Sequence, residues 1–181
     1  MFDAATTEAI RPQAERYLQA AQAGNVGAQF HLGAMYYDGH GVEQDYGEAA
    51  KWYRNAADQG MAEAQFNLGV MYANGDGVEQ DYGEAVKWFR KAADQGDVEA
   101  QGNLGRMYEG GLGVAQDYGE AVAWYRKAAD QGYADAQFNL AVMYREGLGV
   151  AQDYGEAAKW CRKGRSGSSS TSKGASSISC S

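Results

Sequence analysis

Apolar and polar positions along the chain follow a pattern that returns in a fixed register. Between Ala64 and Tyr72 the apolar residues Ala64, Leu68 and Tyr72, with Met71 beside them, are spaced by three and four. That is the period of a helix buried along one face, not of a strand. A glycine-bearing stretch, Asn74-Gly75-Asp76-Gly77-Val78, interrupts it, and Ala85, Trp88, Phe89, Ala92 and Ala93 then form the broader face of a second helix. We call the two segments helix A and helix B. The block recurs at Ala28-Gln29, Ala64-Gln65, Ala100-Gln101 and Ala136-Gln137, and Trp52, Trp88, Trp124 and Trp160 stand 36 residues apart. A fixed period of this length marks a solenoid of stacked hairpins, none of which buries its apolar face alone. The register predicts an all-α chain in which the tryptophans are interior rungs.

Start and stop signals fall where this division needs them. Gly39, Gly75, Gly111 and Gly147 follow helix A, where a left-handed residue ends a helix. Asp45, Asp81, Asp117 and Asp153 stand at the N-cap of helix B, each with a glutamate three residues on, the spacing of a capping box. Gly60, Gly96 and Gly132 close helix B. Gly33, Gly69 and Gly105 lie inside helix A, where glycine costs about 1 kcal/mol relative to alanine. Their recurrence predicts a crossing too close for a side chain, although the fourth copy carries Ala141 there.

These signals divide the chain into a leading half-repeat or cap helix at 1–24, repeats at 25–60, 61–96 and 97–132, a truncated fourth repeat at 133–163, and a serine-rich, disordered tail at 164–181. In the cap, Arg16 stands in the tryptophan register among polar residues, as the wet face of a terminal unit should. Pro12 fits the first turn of that helix. In the tail, Gly164-Arg165-Ser166-Gly167 replaces the Ala-Ala-Asp-Gln of earlier copies. Codons for that stretch spell Gly-Arg-Ser-Gly when read two bases late, so an out-of-frame continuation and an ordinary disordered tail both remain open. With no capping helix after it, Trp160 is expected to be only partly covered, and weak self-association through that end follows.

The unit resembles the Sel1-like repeat, a relative of the tetratricopeptide repeat. The likeness lies in Ala64 to Tyr72, in the loop Gly75 to Val78, and in Asp81-Tyr82-Gly83-Glu84-Ala85 followed by Trp88-Phe89-Arg90-Lys91-Ala92-Ala93. It extends over about residues 25–163. The resemblance implies a right-handed α-solenoid of four helix-turn-helix repeats that serves as a protein-binding scaffold. Some cysteine-rich relatives have been linked to β-lactam binding or hydrolysis, so a hydrolase of that type is the alternative. Here the repeats proper carry no such cysteines, since Cys161 and Cys180 both sit near the C-terminus.

Charge and chemistry narrow the reading further. A net charge of −8 argues against nucleic acid, which needs a basic footprint. No run is apolar and long enough to span a membrane. The start Met1-Phe2-Asp3 has neither the basic nor the apolar part of a secretion signal. With the sparse cysteines, this favours a reducing, cytoplasmic setting. His31 and His40 occupy positions filled elsewhere by Asn67 and by Asp76 or Leu112, so they read as substitutable surface. With no nucleophile–base pair beside them, no catalytic residue is expected. The Asp- and Asn-rich loops lack the calcium-ligand spacing, and neither a metal nor a cofactor is expected.

A second stripe on helix A remains. Phe30, Ala34 and Tyr37 project opposite Ala28, Leu32 and Tyr36, and the equivalents are Phe66, Val70 and Ala73, then Gly102, Arg106 and Glu109, and then Phe138, Val142 and Arg145. By similarity to tetratricopeptide arrays this is the concave face that contacts ligands. Packing against neighbouring helices is the competing account of the same stripe. We expect a non-enzymatic adaptor whose unidentified protein or peptide partner docks there. Phe30, Phe66 and Phe138 are then apolar anchors, Tyr37, Arg106 and Arg145 the polar or charged contacts, and repeat 3 the most distinctive position.

Overall fold

The computed structural model of the chain describes residues 4–167. The elements there are α1 (Ala4–Gln22), α2 (Val26–Asp38), α3 (Tyr46–Asp58), α4 (Ala62–Asn74), α5 (Tyr82–Asp94), α6 (Val98–Gly110), α7 (Tyr118–Asp130), α8 (Ala134–Glu146) and α9 (Tyr154–Gly167), with no strand among the described residues. The even-numbered helices are helix A of each repeat, and α3, α5, α7 and α9 are helix B. The protein is all-α and built of solenoid-like hairpins. It divides into two compact units, one ending at Gln95 and one beginning at Gly96.

In the first unit, α1 packs on α2, and the α2–α3 hairpin joins the α4–α5 hairpin through α3 and α4. Trp52 packs back onto α1 and α2, against Tyr17, Leu18, Ala21, Ala28 and Leu32. Trp88 likewise packs back, among Ala49, Ala50, Tyr53, Ala56, Leu68 and Met71. Trp88 is 5% exposed, whereas Trp52 is only half-buried. The rung expected at Trp52 is therefore incomplete, because a single helix rather than a full hairpin precedes it.

In the second unit, α6–α7 and α8–α9 repeat the arrangement, and Trp160 packs among Ala121, Val122, Tyr125, Ala128 and Leu140. Trp160 is 6% exposed, which corrects the expectation of a partly covered ring. Each indole whose packing is described points toward the preceding hairpin, so its burial needs nothing after it. Helix α9 also runs on through Gly167, four residues beyond the boundary drawn from the sequence. The tail from residue 168 onward lies outside the described residues. At the other end, α1 starts at Ala4, so Pro12 falls inside the helix and not in its first turn. Cys161, on α9, is disulfide-bonded, a departure from thiols expected to stay reduced.

The mid-helix glycines are explained by single aromatic rings. A Cβ on Gly33 would lie 2.8 Å from the Tyr53 ring, on Gly69 2.8 Å from Phe89, and on Gly105 2.6 Å from Tyr125. Each helix A thus crosses its helix B with backbone against ring. In the fourth hairpin the residue in the ring's register is Cys161, and Ala141 is accommodated there. Gly77 and Gly149 mark a second close approach, between successive repeats. A Cβ on Gly77 would lie 2.2 Å from the backbone of Tyr46, and one on Gly149 2.2 Å from Tyr118.

Capping follows the sequence in part. Asp45, Asp81, Asp117 and Asp153 each accept from the backbone N–H three residues on, at 3.0 Å. The reciprocal half of the capping box does not form. The Asp45 N–H donates to the Tyr36 carbonyl and the Asp81 N–H to that of Tyr72, while Lys51 and Lys87 donate to Glu48 and Glu84. Gly47, Gly83, Gly119 and Gly155 keep the cap open, since a Cβ at each would come 3.2 Å from the capping aspartate's Oδ1.

A buried glutamine relay ties the hairpins together. Gln29, Gln65 and Gln137 donate side-chain amides to the carbonyls of Ala21, Ala57 and Ala129 at 3.1, 3.0 and 3.0 Å. The Oε1 atoms of Gln29, Gln65 and Gln101 in turn accept from Gln59, Gln95 and Gln131 at 2.7, 2.8 and 2.8 Å. The series breaks at Gln137, whose Oε1 is buried without a hydrogen-bond partner. Glycine, Gly167, stands where the donating glutamine of earlier repeats would be.

Candidate functional site

Helical geometry sets the stripe of each helix A opposite its buried leucine, and in α2, α4 and α6 the backbone-on-ring crossings at Gly33, Gly69 and Gly105 hold helix A against helix B. In the first unit, Phe30, Ala34, Tyr37, Phe66 and Val70 are all half-buried. Part of that burial is internal. Phe30 lies 5.6 Å from the Tyr53 ring and Phe66 5.9 Å from the Phe89 ring, centroid to centroid. Tyr37 packs edge-on against Tyr46 at 5.0 Å and donates to Asp76 in the loop after α4 at 3.4 Å. Burial, with the Asp76 carboxylate second, raises the Tyr37 phenol above its ordinary value. Tyr37 thus acts partly as a strut between the first two repeats.

In the second unit, repeat 3 replaces this aromatic stripe with charge, while repeat 4 keeps Phe138 and Val142. No phenylalanine stands at Gly102. Its place is taken by the ring of Tyr133 from the start of the next repeat, 2.7 Å from where a Gly102 Cβ would be. The departure in repeat 3 therefore does not open a pit but a plug of different chemistry. Arg106 is exposed beside it; burial raises the phenols of both Tyr133 and Tyr125, and the Arg106 charge offsets only part of that rise. Burial, then a hydrogen bond donated to Glu109 at 2.5 Å, nevertheless leave the Tyr125 phenol strongly raised. Phe138 and Val142 are half-buried, and Arg145 is exposed and paired with Glu146 at 2.8 Å.

Two residues of the site, Tyr133 and Tyr125, were missed by sequence reasoning. They shape the surface around Arg106, and Glu109, already placed in the repeat-3 stripe, holds Tyr125. The signal was Gly102 itself, whose missing ring had to be replaced by something in a packed interior.

The histidines sit elsewhere. His31 and His40 line a shallow groove of about 220 Å³ on the first unit with Gln13, Tyr17, Ala34, Met35 and Asp38. His31 stacks on Tyr17 at 5.2 Å. Among the described residues the lining carries no serine, threonine or cysteine, so these residues offer a base without its usual nucleophiles. Among the described residues no cluster of His, Cys, Asp or Glu suits a metal ion, and no helix is long and apolar enough to cross a membrane.

Tandem helical hairpins carrying an outward stripe on helix A define a helical-repeat scaffold. The Sel1 repeat model matches residues 26–61, 62–97, 98–133 and 134–167, and the chain belongs to the Sel1-repeat family. It is similar to a protective antigen present in uropathogenic Escherichia coli strains, with 40% identity and a TM-score of 0.80 over 88% of this chain and 38% of that one. A Sel1 repeat protein from Oxalobacter formigenes shares 36% identity with a TM-score of 0.84, over 87% of this chain and 65% of that one. An immunity protein from Pseudomonas aeruginosa is 28% identical with a TM-score of 0.55, over 85% of this chain and 57% of its own. The chain thus spans less than two-thirds of each of these structures. No curated protein matches it. Sel1 repeat proteins generally act as protein–protein interaction scaffolds, and the fold is typically non-enzymatic.

Proposed function

We propose that this chain is a non-enzymatic adaptor that binds a peptide or a partner's helix on the helix A stripe, the face that is concave in arrays of this kind. The observation that carries the reading is the half-burial of Phe66 and Val70 on one continuous helix face. Neither is sealed in the core as Leu68 is, at 0% exposure. Apolar groups left accessible in a row on a rigid element are what a helix-in-groove or extended-peptide partner uses as anchors. Arg106, exposed among phenols, adds a charged contact peculiar to repeat 3.

Affinity capture tests the reading, comparing wild type with the Phe66→Ala, Arg106→Glu double variant after circular dichroism has verified its helicity. Loss of specific partners from the variant supports the stripe as the docking face. An unchanged partner profile contradicts it. A nitrocefin assay on the pure protein addresses the β-lactam hydrolase alternative, and turnover there overturns the non-enzymatic assignment.

A further inference from the structure

Repeat 3 departs from the others on helix B as well as on helix A. Lys51, Lys87 and Lys159 stand in one register of α3, α5 and α9 and fold back on Glu48, Glu84 and Glu156, three residues earlier. In α7 that register holds Ala123, with Glu120 three residues before it. The shortened position opens onto a groove of about 400 Å³ between α7 and the loop that follows α8. Its floor is apolar. Ala123 is exposed, Val150 half-buried, and Val122 beside them 6% exposed. Arg126 and Lys127 stand on the rim, with Asp130 about a turn further on. All of these residues lie inside the second unit, away from the ends of the described chain.

Both cations are held in place. Arg126 donates to the Tyr144 hydroxyl on α8, a bond that leaves most of the guanidinium's donors for a ligand. The Lys127 ammonium sits 3.7 Å from the centre of the Trp124 ring, a contact that orients the charge without neutralising it. In the lining these two cations face one carboxylate, that of Asp130, so the rim is positive on a chain of net charge −8. The field of the whole chain repels a polyanion, whereas a single negative charge is held by short charge-assisted hydrogen bonds.

We propose that this groove binds a small amphipathic monocarboxylate, whose apolar body lies on Val122, Ala123 and Val150 and whose carboxylate is taken by Arg126 and Lys127. The volume is that of a small-molecule site, apolar over most of its surface with a few polar groups converging at one end. A neutral head group does not match the charge-assisted bonds that the rim offers. The groove lies on helix B and leaves the helix A stripe to a macromolecular partner.

The test is a titration of the isotopically labelled full-length protein with sodium octanoate, followed through amide chemical shifts in NMR. Octan-1-ol serves as the uncharged control and acetate as the control without an apolar body. Saturable shifts are expected at Val122, Ala123, Arg126 and Val150, with acetate without effect. Octanoate should bind roughly tenfold more tightly than octan-1-ol, the worth of one charge-assisted hydrogen bond. Ala123→Lys, which restores the residue of the other repeats within reach of Glu120, should abolish binding and leave thermal unfolding essentially unchanged. Lys127→Gln, a second and fully surface-exposed change, should weaken octanoate roughly tenfold and leave octan-1-ol as it was. Phe66→Ala should alter neither, which separates the groove from the stripe. No saturable binding, binding that survives Ala123→Lys, or equal affinity for octanoate and either control overturns the proposal. So do shifts centred on helix A residues such as Val142.

Discussion

Gln95 donates its side-chain amide to Gln65 at 2.8 Å, and Gln65 passes the connection on to the Ala57 carbonyl at 3.0 Å. Since Gln65 is 4% exposed, the bond determines whether a polar atom in the core is satisfied. Gln95→Ala should cost about 1–2 kcal/mol in urea denaturation, the penalty of stranding a buried acceptor. The fourth repeat already lacks this donor. Gly167→Gln should therefore stabilise the protein by more than Gly167→Ala, which adds helix propensity alone. Equal effects of the two substitutions would remove the relay from the account.

The crossing of Gly69 under Phe89 is equally direct to test. Gly69→Ala should destabilise by about 1–3 kcal/mol through overpacking, although alanine is the better helix former. In a Phe89→Cys background the same substitution should be neutral or stabilising, because Ala141 and Cys161 already form that pair. Denaturation of the four variants in a double-mutant cycle reads the coupling.

Most of this architecture was legible in the sequence because the signals repeat. The left-handed glycine after each helix A and the aspartate before each helix B stand in four registered copies, so the end of helix A and the start of helix B were readable, whereas α9 runs four residues past its expected end. What the period left open was direction. A tryptophan every 36 residues reports burial but not which neighbour buries it, and so Trp52 and Trp160 were assigned opposite fates from those observed. The stripe residues were nameable from helical geometry. The Tyr133 plug over Gly102 was not, because it depends on a contact between repeats that spacing within one repeat does not encode. The paired glutamines were visible as recurring letters, but hydrogen-bond direction has no sequence signature.

Caps and surface ion pairs should behave differently although they sit side by side. Asp81→Ala should cost about 1 kcal/mol, the usual worth of an N-cap side chain. Lys87→Ala should leave the melting temperature essentially unchanged, since the lysine of the Lys87–Glu84 pair is largely exposed and exposed pairs contribute little. Thermal melts of the two variants under one buffer decide it.

Alkaline pH should weaken the fold through its buried phenols. Burial pushes Tyr53 from 10.0 up to about 12, and Tyr125 is raised too. The folded state holds these protons more tightly than the unfolded chain, so their contribution is complete below pH 10 and is lost as pH rises toward 12. Tyr53 alone accounts for a loss on the order of 2 kcal/mol by pH 12. Tyr53→Phe should flatten that part of the stability profile, and an unchanged slope between pH 10 and 12 would contradict the assignment.

The central claim is that the helix A stripe, and not the outer face of helix B, is where this scaffold meets its partner. Site-specific photo-cross-linking in the native cell tests it most directly, with the photoreactive residue placed at Val70 in one variant and at exposed Lys87 in another. The account predicts a discrete adduct from position 70 that Phe66→Ala diminishes, and none from position 87. Adducts from position 87 alone, or equal adducts from both, would contradict it.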